Sequence, residues 1–263
     1  IDLGNNNTVV TDKDKTLLSQ RSYIAFNTSN NSVRAVGDEA YNMFEKTHEE
    51  LKTVKPLRGG VIADYESAYR MLHELVNKVY NGSWFRKFDN VISGVPYHTT
   101  EVERRALRSA LEQFNSRNTY LIHEPVAAAL GLDLDIREPN GKLVIDIGGG
   151  ITEIVVISLS GIAAFQSLKI AGDSFDIAIQ DHFRRAYNMA IGLKTAEQIK
   201  INTGAVIKDI KNAPEPMMVK GKDLVRGIPA IKKTTYQEVA EILDKSMTSI
   251  EHSVLQTLET CPP

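Results

Sequence analysis

The stretch from Lys142 to Ile157, KLVIDIGGGITEIVVI, constrains this chain more than any other. Val144 and Ile145 make a short apolar run that ends at Asp146. Gly148, Gly149 and Gly150 follow, and then Ile154-Val155-Val156-Ile157 forms a second, β-branched run. Two apolar runs either side of a glycine turn read as a β-hairpin. Consecutive glycines cost backbone entropy and are kept where side chains cannot be accommodated. A phosphate cradled by backbone N–H groups is one such place. Standing alone, the stretch also reads as a loose hairpin turn. It is not alone: IDLGNNNTVVT, residues 1–11, repeats the theme of apolar residue, Asp, Gly, polar turn and then Val9-Val10. Two Asp-x-Gly hairpins predict an internally duplicated protein with one phosphate loop in each half.

A chain of 263 residues has room for roughly two such halves. The formal net charge of −2 gives no argument for a nucleic-acid partner. A single cysteine, Cys261, excludes an internal disulfide framework. No apolar run approaches the roughly eighteen residues of a membrane-crossing helix. The chain opens at Ile1 inside what reads as a strand and stops at Pro263 just after a helical pattern, so further segments are expected beyond both ends.

Between the hairpins, residues 22–26 and 33–36 read as strands and residues 38–47 as a helix, with the segment 18–56 too small to stand alone. Asp64 is placed to cap a helix running to Tyr80, with an apolar face of Ala68, Met71, Leu72, Leu75, Val76 and Val79. Thr100 and Glu103 match a capping box for a helix over 101–115. A strand over 120–122 stops at His123-Glu124-Pro125, ahead of a small-residue helix. His123 reads as a hydrogen-bonded structural histidine. Glu124 is an acid at a strand end in a chain with two phosphate loops, where it can order an attacking water. After the second hairpin, 161–170 is a strand, 172–176 a turn and 177–190 a helix. Thr195 is expected to cap the next helix, Ala196 to Thr203, on which Glu197 and Lys200 stand three apart as a solvated ion pair. Strands over 217–224 and 230–233 and a long amphipathic helix over 237–258 close the chain. Trp84 and Phe85, beside Arg86 and Lys87, read either as a loop folded onto the core or as an aromatic-basic tip for an anionic membrane surface.

Taken in order, these motifs resemble the actin, heat-shock chaperone and sugar-kinase superfamily, and within it the MreB bacterial actins. The resemblance rests on VGDEA at 36–40, Pro56-Leu57 with GVIAD at 60–64, and TEVERR at 100–105. It rests further on Glu124-Pro125 with Ala127 to Ala129, Asp146 to Gly150, and Thr195-Ala196-Glu197 with Ile199-Lys200. It implies an α/β, actin-like fold of two lobes, each with a duplicated ribonuclease-H-like mixed sheet and an inserted subdomain. The expected divisions are 1–17 with 57–129, an insert 18–56, then 130–172 with 234–263, and an insert 173–233. It implies ATP or ADP with Mg2+ between the lobes. Asp2 and Asp146 would lie on the metal side, acting through water. Gly4, Asn5, Asn6 and Asn7 with Gly148, Gly149 and Gly150 would take the phosphates. Glu124 would orient the lytic water, Glu197 would bind the ribose and Lys200 would lie along the adenine. Trp84 and Phe85 fall where some relatives carry a membrane-inserting loop. The implied role is a filament of self-associated, paired protofilaments on the inner face of the cell membrane, cytoplasmic and peripheral. Such a filament would organise cell shape with cell-elongation and cell-wall synthesis proteins, and would hydrolyse ATP weakly. The alternative in the same superfamily is a small-molecule, sugar-type kinase, for which no further cleft aspartate presents itself.

Two departures stand out. Asn5 and Asn6 replace the Thr-Ala common in relatives; asparagine tolerates left-handed backbone and donates hydrogen bonds. Ile151 stands where relatives carry a threonine that partners the catalytic glutamate, so hydrolysis is expected to be slow unless Thr152 compensates. Relatives also continue into a third glycine-rich loop over the adenosine, which residues 1–263 do not include.

Overall fold

The computed structural model describes residues 1–46, 49–80 and 88–262; Trp84 and Phe85 lie outside the described residues. The first half opens with a meander, β1 (Asp2–Leu3), β2 (Asn7–Asp12) and β3 (Lys15–Arg21), all antiparallel. A second small antiparallel sheet follows, made of β4 (Ile24–Asn27), β5 (Val33–Val36) and β6 (Leu51–Val54) in the order β5-β4-β6. Helix α1 (Asp38–Met43) packs on it, with Ala40 set against Tyr23, Ala25 and Ala35. Two short strands, β7 (Leu57–Arg58) and β8 (Val61–Ile62), lead to α2 (Tyr65–Val79). Asp64 caps α2 by accepting from the Ser67 amide, and the expected apolar face is buried from Ala68 to Val76.

Next come β9 (Phe88–Val95), α3 (Glu101–Glu112), β10 (Ser116–His123) and α4 (Glu124–Gly131). The Thr100–Glu103 capping box forms as its residues predict. β10 lies parallel to β9, and β1 lies beside β9 through two bonds: the Ile1 nitrogen to Ile92 O (2.6 Å) and the Gly94 amide to Ile1 O (3.2 Å). The strands therefore follow one another as β3-β2-β1-β9-β10. Their core joins Leu3, Ile24 and Leu57 to Met71, Leu72 and Leu75 of α2 and Leu107 and Leu111 of α3.

The second half repeats the opening meander as β11 (Lys142–Ile147), β12 (Thr152–Ser158) and β13 (Gly161–Leu168). β12 is buried from Thr152 to Ile157 because α4 packs on it through Ala129 against Val155 and Ile157, and α7 (Tyr236–Glu259) also lies on it. Between β13 and α7 come α5 (Gly172–Tyr187), β14 (Met189–Ala190), α6 (Leu193–Thr203), β15 (Met217–Asp223) and β16 (Pro229–Thr234). Ile179 and Phe183 of α5, Ile199 of α6, Val219 of β15 and Leu243 of α7 make its core.

Several boundaries differ from expectation, for reasons that lie outside the local sequence. α1 ends at Met43 rather than near Thr47, and Glu45 then takes a left-handed backbone (φ 63°). That turn sends the Glu45 carboxylate across to the second half, where it accepts from the Leu193 (2.6 Å) and Lys194 (3.1 Å) amides. α6 consequently begins at Leu193, capped by a residue from the other half rather than by Thr195. α5 begins at Gly172, not after Asp176, because its first amides find acceptors in the glycine loop: Gly172 N to Gly148 O (3.1 Å) and Asp173 N to Gly149 O (2.7 Å). It ends at Tyr187, where Asn188 turns left-handed (φ 46°).

Candidate functional site

The two Asp-x-Gly turns have the same backbone. The Gly4 amide donates to Asn7 O (3.0 Å) and the Gly148 amide to Ile151 O (3.0 Å), each spanning the same positions after its aspartate. A Cβ on Gly4 would lie 2.9 Å from Asn7 O, too close without a shift of the backbone, and one on Gly148 would press on Ile151 O at 3.3 Å. They face each other across a cavity of about 570 Å³. Its lining brings together Asp2, Gly4 to Asn7, Glu124, Asp146 and Gly148 to Ile151, with Glu153.

Across the cavity the two loops interlock. Asn5 is almost wholly buried; its Oδ1 accepts from the Gly60 amide (3.0 Å) and its Nδ2 donates to Asp173 (3.1 Å). Asn6 Oδ1 accepts from Lys55, which also bonds Asp173 (2.7 Å). A Cβ on Gly149 would lie 2.8 Å from Asn6 Cγ, and one on Gly150 closer still to Asn5 Nδ2. Asn5 and the Asn6 oxygen are thus committed to holding the two loops and Asp173 together.

Glu124 is the first residue of α4, followed by Pro125, which favours the first helical turn. Room for its side chain comes from Gly94 on β9, where a Cβ would stand 2.9 Å from Glu124 Cγ. Burial drives the Glu124 carboxyl up to about 8, and the charges of Asp2, Glu153 and Asp146 push the same way. Burial likewise raises Asp2 and Asp146 above the usual carboxylate range. Glu153, the cross-strand partner of Asp146, is carried up to about 7, mainly by burial. Its Oε1 accepts from the Tyr97 amide (2.8 Å), while its buried Oε2 has no partner among the described residues. Glu153 is an acid that sequence reasoning passed over; the visible signal was a charge inside an otherwise apolar strand.

Ile151 points into the cavity and reaches Gly60, a glycine with φ 79° whose Cβ would meet Ile151 Cδ1 at 2.9 Å. Thr152, the next residue along β12, faces the other way. It is fully buried, and its hydroxyl donates to Ile170 O (2.6 Å). The expected compensation for Ile151 therefore has no geometric basis: Thr152 is not at the cavity.

Glu197 and Lys200 are not in the cavity lining. Instead of a pair with each other, Glu197 takes Arg21 (2.6 Å) and the Tyr41 hydroxyl from the first half, and Lys200 binds Asp176 (2.8 Å) and Gly172 O (2.9 Å). Arg21, Tyr41, Lys55 and Asp173, none of them singled out by the sequence, bridge the cleft mouth. Among the described residues no group of three or more acidic, histidine or cysteine side chains is set to hold a metal directly. No helix there is long and apolar enough to cross a membrane.

The MreB/Mbl protein family matches residues 1–263. The cell shape-determining protein Mbl of Bacillus subtilis is 37% identical over 264 residues, a match covering all of this chain and 78% of that protein. The cell shape-determining protein MreB of Escherichia coli is 37% identical over 268 residues, covering all of this chain and 77% of that protein. Among solved structures, MreB 5 of Spiroplasma citri bound to AMPPNP aligns over the whole chain and 78% of its own, with a TM-score of 0.92 at 34% identity. The same protein bound to ADP aligns at 0.91. The MamK double helical filament shares the fold, with a TM-score of 0.77 at 20% identity.

Proposed function

The chain belongs to the MreB/Mbl family, and from that premise we propose that it is a nucleotide-dependent actin-like protein whose filaments organise cell shape and cell-wall synthesis. The observation that carries this reading is the pair of equivalent Asp-Gly turns facing one cavity with Glu124 in its wall. Relatives bound to AMPPNP and ADP, and a filament of the same fold, support it.

The residues fit a nucleoside triphosphate with a divalent cation. Glycine turns that a Cβ would obstruct present amides for the phosphates. Among the described residues no lysine or arginine lines the cavity, so phosphate charge is to be met by those amides and by a cation. Mg2+, when bound, supplies that neutralisation; Asp2 and Asp146 would hold it through water. Glu124 orients the lytic water, and with Ile151 beside it in place of a hydroxyl, turnover is slow. Glu197 receives the ribose by sharing or yielding its contacts to Arg21 and Tyr41, with Lys200 toward the adenine. The domain divisions follow the family pattern: a core of 1–17 with 57–129 carrying the insert 18–56, and a core of 130–172 with 234–263 carrying the insert 173–233. The protein acts in the cytoplasm, peripheral on the inner membrane face, with Trp84 and Phe85 as membrane contacts and cell-elongation proteins as partners.

Sedimentation tests the reading. Intact protein at micromolar concentration should pellet with ATP and Mg2+ and with anionic liposomes, and stay in the supernatant when both nucleotide and liposomes are omitted. Protein that remains monomeric under every condition would refute it.

A further inference from the structure

A second cavity, of about 400 Å³, lies between α3 and the ends of β9 and β10, apart from the nucleotide cleft. It is walled by Glu101, Arg104, Arg105 and Arg108 of α3, by Val95, and by Leu121 and His123 of β10. The helix places its arginines on one side because positions 101, 104, 105 and 108 share a face while Leu107 and Leu111 turn into the core. Leu121 and His123, two apart on a strand, point the same way, and His123 is the register partner of Val95.

What distinguishes this cavity is unmet hydrogen-bonding and charge. Glu101 is engaged with Arg105 (3.5 Å). Arg104 and Arg108 have no acidic partner among the described residues, and the buried Nε of Arg104 and the buried Nδ1 of His123 have no hydrogen-bond partner there. A buried guanidinium N–H left unpaired is costly and uncommon in native proteins. The imidazole, expected from sequence to be satisfied, is so only through the Pro96 backbone; burial and the charge of Arg104 hold it neutral. With His123 neutral, the four charged side chains of the wall leave two positive charges uncompensated.

We propose that this cavity is a binding site for a phosphate dianion, inorganic phosphate or a phosphate monoester, gripped by the Arg104 and Arg108 guanidinium groups. Guanidinium forks match the geometry of phosphate oxygens, and a dianion matches the uncompensated charge. The site draws on Arg104 and Arg105 of the TEVERR motif, to which the nucleotide cleft gives no role.

Calorimetric titration of inorganic phosphate into the intact protein, with its cleft saturated by ADP and chloride held constant, should show one saturable site. The double variant Arg104→Gln/Arg108→Gln should weaken it by about tenfold or more, with ADP affinity and thermal midpoint unchanged. Vesicles carrying phosphatidic acid, whose headgroup is a phosphate monoester, identify the source: binding that inorganic phosphate displaces and the double variant abolishes makes it a lipid headgroup. Phosphate binding without vesicle binding makes it a free phosphate. Absence of saturable binding to both, or binding that the double variant leaves intact, overturns the proposal. Should the double variant fail to fold, Arg108→Gln, on the solvent side of α3, is judged by the same criterion.

Discussion

The two Asp-Gly turns share a backbone and differ in what they put on it. Both close with the same amide-to-carbonyl bond three residues apart, Gly4 to Asn7 and Gly148 to Ile151. The first loop then carries Asn5 and Asn6, whose side chains reach Gly60, Asp173 and Lys55; the second carries Gly149 and Gly150, which have no side chain, and offers only its carbonyls to the start of α5. Each is possible because of the other. The asparagines occupy the space that the glycines leave empty, so one loop supplies the contacts between halves and the other supplies bare backbone. The flanking strands divide in the same way. The aspartate of the first hairpin pairs across the strands with Val9, and that of the second with Glu153, which concentrates acidity on one side of the cavity.

The sharpest way to break this comparison is to give the second loop a side chain. Gly150→Ala should lower ATP affinity by about a hundredfold and cost roughly 2–4 kcal/mol of stability, because the new methyl lands on the buried Asn5 amide. Asn5→Gly in the same chain should return part of both, read by titration of a fluorescent nucleotide and by denaturant unfolding. If Gly150→Ala binds and melts like the parent, the interlock is refuted.

Glu124→Gln is expected next in size, slowing ATP hydrolysis by about a hundredfold while leaving binding in place. It also carries a pH signature. In the unfolded chain this carboxyl ionises near 4.5, whereas folded it keeps its proton to about 8. The folded state therefore binds more protons across that window, and stability falls as pH rises through it. Glu153, held up at about 7, and Asp176, at about 6, act in the same direction over narrower windows. Glu124→Gln should match the parent near pH 4 and exceed it by about 1–3 kcal/mol at pH 8, as followed by thermal melts across the range. A parallel pH dependence in both proteins would show that the buried acid carries no such cost.

The smallest effect tests the position where the loops differ most in polarity. Ile151→Thr places a hydroxyl beside Glu124 and should speed hydrolysis by roughly threefold to tenfold, at about 1 kcal/mol from the lost packing on Gly60. Thr152→Val should leave hydrolysis unchanged, since its hydroxyl serves Ile170 O. Single-turnover rates of the two variants decide; a slower Thr152→Val would move the hydroxyl requirement to Thr152.

What the sequence determined by itself is what depends on neighbours along the chain. Apolar runs around Asp146 and the glycines make a hairpin, Asp64 and Thr100 cap their helices, and the periodicity from Ala68 to Val76 buries one face of α2. Glu124 was readable as an acid on a strand end, and Ile151 as an apolar residue after the glycine turn. Tertiary structure alone decided which groups meet across the cleft. α6 begins at Leu193 because Glu45 caps it from the other half, and α5 begins at Gly172 because the glycine loop accepts its first amides. Thr152 is excluded from the cavity, Glu197 turns to Arg21 and Tyr41, and Asn5 becomes a strut rather than a free donor. Each of these is a hydrogen bond between residues far apart in sequence. The composition of one segment cannot state that a donor has been claimed by another segment, so such assignments exist only once distant segments have packed together.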